Sequence, residues 1–219
     1  MNRFTLFVFL SWHSLTGQSI QTSLPKTIDS EKTYVFYLHG GIIQDEGIDA
    51  TSTYFGKYEY TKILETLKNY NLEVISERRP KGTIELEYAK KVSAQINTLM
   101  RHSVPVERII VVGASQGAWI TLELANIKKN SKIKYAILGL CNDYNVNYFS
   151  KYKNELCGNF LSIYERSDQK KSCETLLNSP FCKSGFKEIA LNMGNDHGFL
   201  YKPYDEWVLP LVDWIKNEN

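Results

Sequence analysis

Residues Ile109–Leu122 read IIVVGASQGAWITL, an apolar run that leads through a Gly-x-Ser-x-Gly turn into a helical pattern. A serine hydroxyl is a weak nucleophile unless a base and backbone donors lie beside it. A sharp strand-to-helix turn supplies this setting, because its glycines remove side-chain clashes and the helix N-terminus presents free N–H groups. The stretch therefore predicts that Ser115 is a nucleophile at the end of a buried strand.

The rest of the sequence alternates between short apolar runs and amphipathic patterns. The runs predict strands at 33–38, 72–76, 109–112, 135–141, 160–164 and 187–191. Apolar residues at helical spacing predict helices at 60–67, 84–100, 116–130 and near 207–215, where Pro210 would start or kink the helix. Strands that alternate with helices favour a mostly parallel sheet, covered on both faces, with reactive loops at the carboxyl ends of its strands. We interpret the polar segment Gly41–Lys57 as an irregular, mobile rim loop.

Length and composition indicate one globular domain, which we place at residues 20–219. The chain has 219 residues, of which 43% are hydrophobic, and a net charge of +2 from 26 basic and 24 acidic residues. No long basic block is present, so nothing in the sequence favours a nucleic-acid partner. The sequence also contains no phosphate-binding glycine loop, dinucleotide fingerprint or metal-ligand cluster, and we therefore expect no cofactor and no metal.

The first residues have the pattern of a secretory signal peptide. A basic residue, Arg3, precedes the apolar stretch Phe4–Trp12, and small residues follow at Gly17 and Ser19. This order predicts a signal peptide at residues 1–19 and an exported protein, periplasmic or secreted. The alternative is a first β-strand in a cytoplasmic protein, since the apolar stretch also has β-propensity. The stretch is too short to span a bilayer, and we predict no membrane span elsewhere.

The four cysteines match no metal-site spacing. They are Cys141, Cys157, Cys173 and Cys182. In an exported protein an even number permits one or two disulfides, with three connectivities possible. We favour the pair Cys173–Cys182, which flanks a proline-containing segment. In a cytosolic protein the same residues would be buried thiols.

A serine nucleophile needs a base, and histidine is the usual one near neutral pH. His13 lies in the predicted signal peptide, His102 at a helix end, and His39 beside two glycines whose loop it is expected to shape. His197 lies in a glycine-containing loop just after the last strand. A loop at the carboxyl end of a strand is the expected place for a catalytic group, so His197 is our candidate base.

The third group must orient the imidazole and stabilise the imidazolium. Asp168 follows a strand and lies between Ser115 and His197 in the chain. It is our first candidate for this role, with Glu165 and Asp143 as alternatives. A solvated acidic turn is the competing interpretation, because Arg166 could pair with either neighbouring carboxylate.

On these residues the chain resembles the α/β-hydrolase superfamily, in a small form without a cap domain. The resemblance covers roughly Thr33 to the C-terminus and includes the His39-Gly40-Gly41 loop, the Ser115 turn and the late His197. It implies a three-layer α/β/α sandwich, and an oxyanion hole made by the backbone N–H of Gln116 with that of Gly41 or Ile42. The Ser-Gln-Gly turn is also similar to that of lysophospholipase and carboxylesterase-type members, whereas the acid loop departs from the commoner Gly-x-x-Asp.

We therefore expect a serine hydrolase whose Ser-His-Asp triad cleaves small carboxylic esters or thioesters through an acyl-enzyme. The runner-up is a serine peptidase similar to the catalytic part of prolyl-oligopeptidase-like enzymes. A non-catalytic binding protein of the same fold is the alternative from another class. The sequence does not indicate the oligomeric state or the acyl chain.

Export can be tested directly by N-terminal sequencing of protein recovered from its native host. We expect the mature chain to start near Ile20, because the charged and apolar leader adds nothing to the strand–helix pattern that begins at Thr33. An intact Met1 in soluble cytosolic protein would contradict export.

Overall fold

The computed structural model describes residues 21–217, so the predicted signal peptide lies outside the described residues. The strands are β1 (Tyr34–Leu38), β2 (Thr51–Ser52), β3 (Gly56–Lys57), β4 (Glu73–Ile75), β5 (Ile109–Ala114), β6 (Lys134–Leu138), β7 (Gly158–Glu165) and β8 (Lys183–Leu191). The helices are α1 (Gly41–Glu46), α2 (Tyr60–Lys68), α3 (Glu85–Arg101), α4 (Gln116–Lys128), α5 (Asp143–Ser150), α6 (Glu174–Leu177) and α7 (Asp205–Lys216). Short 3₁₀ helices cover Val106–Arg108 and Asp196–Leu200.

The main sheet has six strands in the order β4-β1-β5-β6-β7-β8. Every neighbouring pair in it is parallel, so the carboxyl ends of all its strands lie along one edge. The strand before Ser115, β5, lies between β1 and β6. This arrangement confirms the predicted α/β class and places the loops after β1, β5, β7 and β8 at the same edge of the sheet.

Both faces of the sheet are buried, because each central strand is apolar on both sides. Phe36 of β1 belongs to a core shared with α3, α4, α5 and α6, whereas Val35 and Tyr37 belong to a second core shared with α1, α2 and α7. The protein is therefore a three-layer α/β/α sandwich, as predicted. Within residues 21–217, no helix is both long enough and apolar enough for a membrane span.

The prediction of an irregular loop at Gly41–Lys57 was wrong. The segment contains α1 and an antiparallel hairpin in which Thr51 pairs with Lys57. The hairpin is held by Phe55, whose ring centroid lies 5.2 Å from that of Tyr201. The sequence analysis missed this contact, because the segment is mostly polar and a single aromatic side chain does not produce a periodic pattern of apolar residues.

Two further differences concern helices. Asn142 caps α5, a helix that the sequence pattern did not predict, and its side chain accepts a hydrogen bond from the Asn145 N–H over 2.9 Å. Pro210 lies inside α7 and does not start it. The predicted boundaries of the other helices and strands differ from the observed ones by a few residues, as is usual where ends fray.

The favoured disulfide Cys173–Cys182 was also wrong. The cysteines pair as Cys141–Cys173 and Cys157–Cys182. In a parallel sheet the starts of neighbouring strands meet at one edge and their ends at the other. Cys157 and Cys182 lie just before β7 and β8, whereas Cys141 and Cys173 lie near the carboxyl edge. Each partner is therefore set by the sheet and not by separation along the chain.

The pairing predicts the outcome of non-reducing peptide mapping. Trypsin leaves Cys173 and Cys182 on one peptide, so a second cleavage after Glu174 is needed to separate them. We expect cross-linked peptides that contain Cys141 with Cys173 and Cys157 with Cys182. Each link closes a loop that should stabilise the fold by about 3.5 kcal/mol on the chain-entropy relation. A peptide linking Cys173 to Cys182 would contradict the observed pairing.

Candidate active site

Ser115 occupies the sharp turn between β5 and α4, with φ of 53° and ψ of −114°. Residues other than glycine rarely adopt a positive φ, and such a backbone conformation persists only where the surrounding structure enforces it. The enforcing contact is the approach of α4 to β1: a Cβ added to Gly117 would lie 1.8 Å from the Leu38 carbonyl oxygen. A Cβ on Gly113 would lie 2.4 Å from the Gly117 carbonyl oxygen. Both motif glycines are therefore required by packing, and together they hold Ser115 clear of the sheet.

His197 lies in the 3₁₀ helix after β8 and reaches both of its predicted partners. Its Nε2 is 2.9 Å from Ser115 Oγ, and its Nδ1 is 2.5 Å from Asp168 Oδ2. A carboxylate only accepts hydrogen bonds, so the Nδ1–H donates to Asp168 and Nε2 accepts from the Ser115 hydroxyl. This tautomer leaves Nε2 able to receive the serine proton.

Asp168 is held so that one oxygen faces the imidazole. It lies in the turn after β7, and its side chain is only 5% exposed. Its Oδ1 accepts a hydrogen bond from the Lys170 backbone N–H over 3.0 Å. Because this bond uses Oδ1, the carboxylate presents Oδ2 to His197.

The alternative acids are placed elsewhere. Glu165 is fully buried, and it accepts hydrogen bonds from the backbone N–H of Met193 over 2.8 Å and of Ser167 over 3.2 Å. The Ser167 hydroxyl in turn accepts from the Asp196 N–H over 2.9 Å. Glu165 therefore ties the loop that carries Asp168 to the loop that carries His197, without touching the imidazole. Asp143 is exposed in the first turn of α5.

The residues that carry the two candidate oxyanion donors, Gly41 and Gln116, are neighbours in space. Gly41 is the first residue of α1 and Gln116 the first of α4, so neither backbone N–H has an acceptor within its own helix. A Cβ added to Gly41 would lie 3.2 Å from Gln116 Oε1, and one added to Gly40 would lie 3.7 Å from Ser115 Cβ. Gly41 therefore lies beside the Gln116 side chain, and the choice between the N–H groups of Gly41 and Ile42 stays a prediction.

The Gly40–Gly41 peptide is oriented by the buried His39. The Arg79 N–H donates to His39 Nε2 over 3.0 Å, so the proton of the neutral ring is on Nδ1, which lies 2.9 Å from the Gly40 carbonyl oxygen. Burial and the nearby Arg79 charge lower the pKa of His39 to about 3, which keeps the ring neutral. In a trans peptide the C=O and N–H point in opposite directions. The Gly41 N–H therefore points away from the His39 ring.

Arg79 is a residue of the candidate site that the sequence analysis missed. It is fully buried, with Nη2 donating to the His39 carbonyl over 2.5 Å and Nε donating to Gln44 over 3.1 Å. Burial lowers its pKa to about 10. No periodic signal marks Arg79, which follows β4 in a polar segment, so only the fold reveals its place beneath the His39 loop.

Two small cavities border the site. One, of about 210 Å³, is lined by Ser115, Gln116 and Trp119 among others, and the second, of about 320 Å³, by Asp168, His197 and Phe55 among others. Lys170 lines both. A larger cavity of about 800 Å³ lies at the amino ends of the strands and touches none of the triad candidates. Among the described residues, no cluster of three His, Cys, Asp or Glu side chains could hold a metal ion.

The remaining histidines play other parts. His102 caps the C-terminus of α3, where its Nδ1 lies 2.9 Å from the Thr98 carbonyl oxygen. His13 falls outside the described residues. The structure thus brings the five site residues predicted from sequence (Ser115, Asp168, His197, Gly41 and Gln116) to one edge of the sheet.

No protein-family model matches this sequence, and no curated protein matches it either. Solved structures do resemble the fold. A monoacylglycerol lipase from Paleococcus ferrophilus is 12% identical with a TM-score of 0.56, covering 83% of this chain and 93% of its own. A fungal esterase from Rhizomucor miehei is 14% identical with a TM-score of 0.60, covering 84% and 74%. Est1E from Butyrivibrio proteoclasticus, solved with ferulic acid, is 12% identical with a TM-score of 0.53, covering 89% and 90%.

Identities this low carry information about the fold and not about the substrate. All three neighbours align over more than four fifths of this chain, so the likeness extends well beyond the Ser115 turn. The parallel sheet order and these neighbours together show that the protein has the α/β-hydrolase fold, with no cap domain between residues 21 and 217.

Proposed function

We propose that the protein is a serine hydrolase that cleaves carboxylic esters, or thioesters, through an acyl-enzyme. The observation that carries the proposal is the hydrogen-bonded series from Ser115 Oγ through His197 to Asp168, with distances of 2.9 and 2.5 Å. A serine on a strained turn, a neutral imidazole within reach of its hydroxyl and a buried carboxylate are the parts of nucleophilic acyl transfer. The names of the structural neighbours, a lipase and esterases, support the same reaction class.

The proposed reaction begins with attack of Ser115 Oγ on the ester carbonyl carbon while His197 Nε2 takes the hydroxyl proton. The carbonyl oxygen becomes an oxyanion, which the backbone N–H groups of Gly41 and Gln116 stabilise by about 3 kcal/mol each. The C–O bond to the alcohol then breaks, and His197 returns the proton to the leaving oxygen. Water, deprotonated by the same imidazole, hydrolyses the acyl-enzyme and regenerates the serine.

Replacement of the nucleophile is the first test. Ser115→Ala should abolish hydrolysis of p-nitrophenyl esters and labelling by a fluorophosphonate probe, with an unchanged circular dichroism spectrum. Ser150→Ala is a matched control, because Ser150 is exposed on α5 and bonds only within that helix. Wild-type turnover by Ser115→Ala would end the proposal. Aminoacyl anilides in the same assay test the peptidase alternative, and a wild-type protein that neither labels nor turns over would favour the binding-protein alternative.

The acid is tested by comparing two buried carboxylates. Asp168→Asn should lower kcat by about 10⁴, because the amide no longer fixes the imidazole tautomer. Glu165→Gln should lower kcat by less than about tenfold and instead reduce stability by about 1–3 kcal/mol, since Glu165 bonds only to backbone and Ser167. Asp143→Asn serves as an exposed control. Steady-state kinetics with urea unfolding separate the two effects, and the reverse ranking of kcat would remove Asp168 from the triad.

A further inference from the structure

An aromatic wall leads from the candidate nucleophile to solvent. We define it as Trp119, Tyr144, Tyr148 and Phe149. Trp119 lies on α4, one helical turn after Ser115, and its ring centroid is 4.5 Å from that of Tyr148 and 4.8 Å from that of Phe149. The ring of Tyr144 is stacked on Trp119 at 6.1 Å with an interplanar angle of 26°. Tyr144 is 70% exposed, so the wall is an apolar surface that water reaches at its outer end.

A buried carboxylate fixes the orientation of this wall. Glu123 on α4 is 4% exposed, and its Oε1 accepts a hydrogen bond from the Tyr148 hydroxyl over 3.1 Å. Burial raises the pKa of Glu123, whereas hydrogen bonds from Tyr148 and Trp119 lower it. The hydrogen bond from the Tyr148 hydroxyl therefore ties its ring, which packs on Trp119, to α4.

The cavity beside Ser115 has room for one ring. Its volume is about 210 Å³, and Trp119 and Leu140 form its apolar lining. A cavity of about 150 Å³ in another protein holds a benzene molecule. The polar lining comes from Glu85, Gln116, Asn145 and Lys170. These polar groups make the cavity unsuitable for a long alkyl chain, which would leave them desolvated without partners.

The carboxylate of Glu85 is the charged hydrogen-bond acceptor in the lining of the cavity. Gln116 Nε2 donates to Glu85 Oε1 over 2.9 Å, which fixes the side-chain amide and turns its oxygen the other way. Gln116 Oε1 is buried and has no hydrogen-bond partner among residues 21–217. The Asn145 side-chain amide already donates to the Leu140 carbonyl over 2.6 Å. Gln116 Oε1 lies toward Gly41, which does not line this cavity. A carboxylate accepts several hydrogen bonds, so Glu85 can also accept one from a ligand hydroxyl.

The cavity lies on the acyl side of the candidate site. In the proposed reaction the leaving oxygen must lie next to His197 Nε2, from which it takes its proton. His197 lines the second cavity, with Phe55 and Asp196, and does not line the one that contains Trp119. In the proposed reaction we place the alcohol in the His197 cavity and the acyl group in the Trp119 cavity, which Ser115 and Gln116 line.

We propose that this cavity is a subsite for a hydroxylated aromatic acyl group, with its ring on Trp119 and its hydroxyl donating to Glu85. The inference rests on the proposed function and names its substrate class. Preference for an aromatic acyl group is assigned to Trp119, with Tyr144 extending the surface outward. Preference for the hydroxyl is assigned to Glu85.

Three methyl esters that differ only in the acyl group test the proposal: methyl hexanoate, methyl cinnamate and methyl 4-hydroxycinnamate. In the wild-type protein kcat/KM should rise about tenfold from hexanoate to cinnamate, as expected for one aromatic contact. It should rise about tenfold again for the hydroxylated ester, from one hydrogen bond to a charged group. A wild-type preference for hexanoate would overturn the subsite.

The variants separate the two contacts. Trp119→Leu should lower the ratio of kcat/KM for cinnamate to that for hexanoate about tenfold, and Glu85→Gln should lower the ratio for the hydroxylated ester to that for cinnamate about tenfold. Tyr144→Leu replaces an exposed ring and cannot disturb the core, so a smaller loss on both aromatic esters is expected even if Trp119→Leu misfolds. Phe181→Leu is the matched control, because Phe181 is 55% exposed and lies beside Cys182 at the opposite end of the sheet.

The experiments distinguish a failure of the acyl-subsite proposal from a failure of the proposed hydrolase function. Equal losses on all three esters in both Trp119→Leu and Tyr144→Leu would overturn the subsite and leave the serine hydrolase intact. If hexanoate turnover depended on Ser115 but aromatic esters were not preferred, the subsite proposal would likewise fail and the hydrolase proposal would stand. No turnover of any ester and no probe labelling would overturn both.

Discussion

The contact on which the site depends is the approach of α4 to the end of β1. Any side chain at Gly117 would overlap the Leu38 carbonyl, which lies immediately before the His39 loop. The same contact therefore sets the height of Ser115 above the sheet and its distance from the Gly40–Gly41 peptide. Ser115 can lie next to a backbone donor after β1 only if the main chains of α4 and β1 are at van der Waals distance. Only glycine, which has no side chain, permits two main chains to come this close.

Around that contact, buried polar groups orient the parts of the site. His39 and Arg79 direct the Gly40–Gly41 peptide, Glu165 ties the Asp168 loop to the His197 loop, and Glu123 holds Tyr148. Each is nearly or fully inaccessible to solvent. Buried polar groups destabilise a fold unless they form hydrogen bonds. Because these groups are concentrated near one edge of the sheet, we interpret them as fixing the positions of the site residues and not as stabilising the fold.

The sequence predicted those features that depend on local pattern. Continuous apolar runs at β1 and β5 indicate strands buried on both faces, and Ser115, Asp168 and His197 all follow such runs, so a parallel sheet gathers them at one edge. Arg79, Glu123 and the disulfide pairs escaped prediction, because their partners come from other strands and helices. Cys173 is closer to Cys182 along the chain, yet the sheet places Cys182 at the opposite edge, where it meets Cys157.

The Cys141–Cys173 disulfide connects two parts of the candidate site. Cys141 follows β6, next to the cavity that contains Leu140, and its carbonyl accepts a hydrogen bond from the Lys171 N–H over 2.5 Å. The disulfide therefore joins one wall of the proposed acyl subsite to the segment that carries Asp168 and Lys170. A covalent tie at this point restrains the position of Asp168, the candidate acid, together with the shape of the cavity. The proposed acyl subsite and the proposed triad are thus joined through a short stretch of chain.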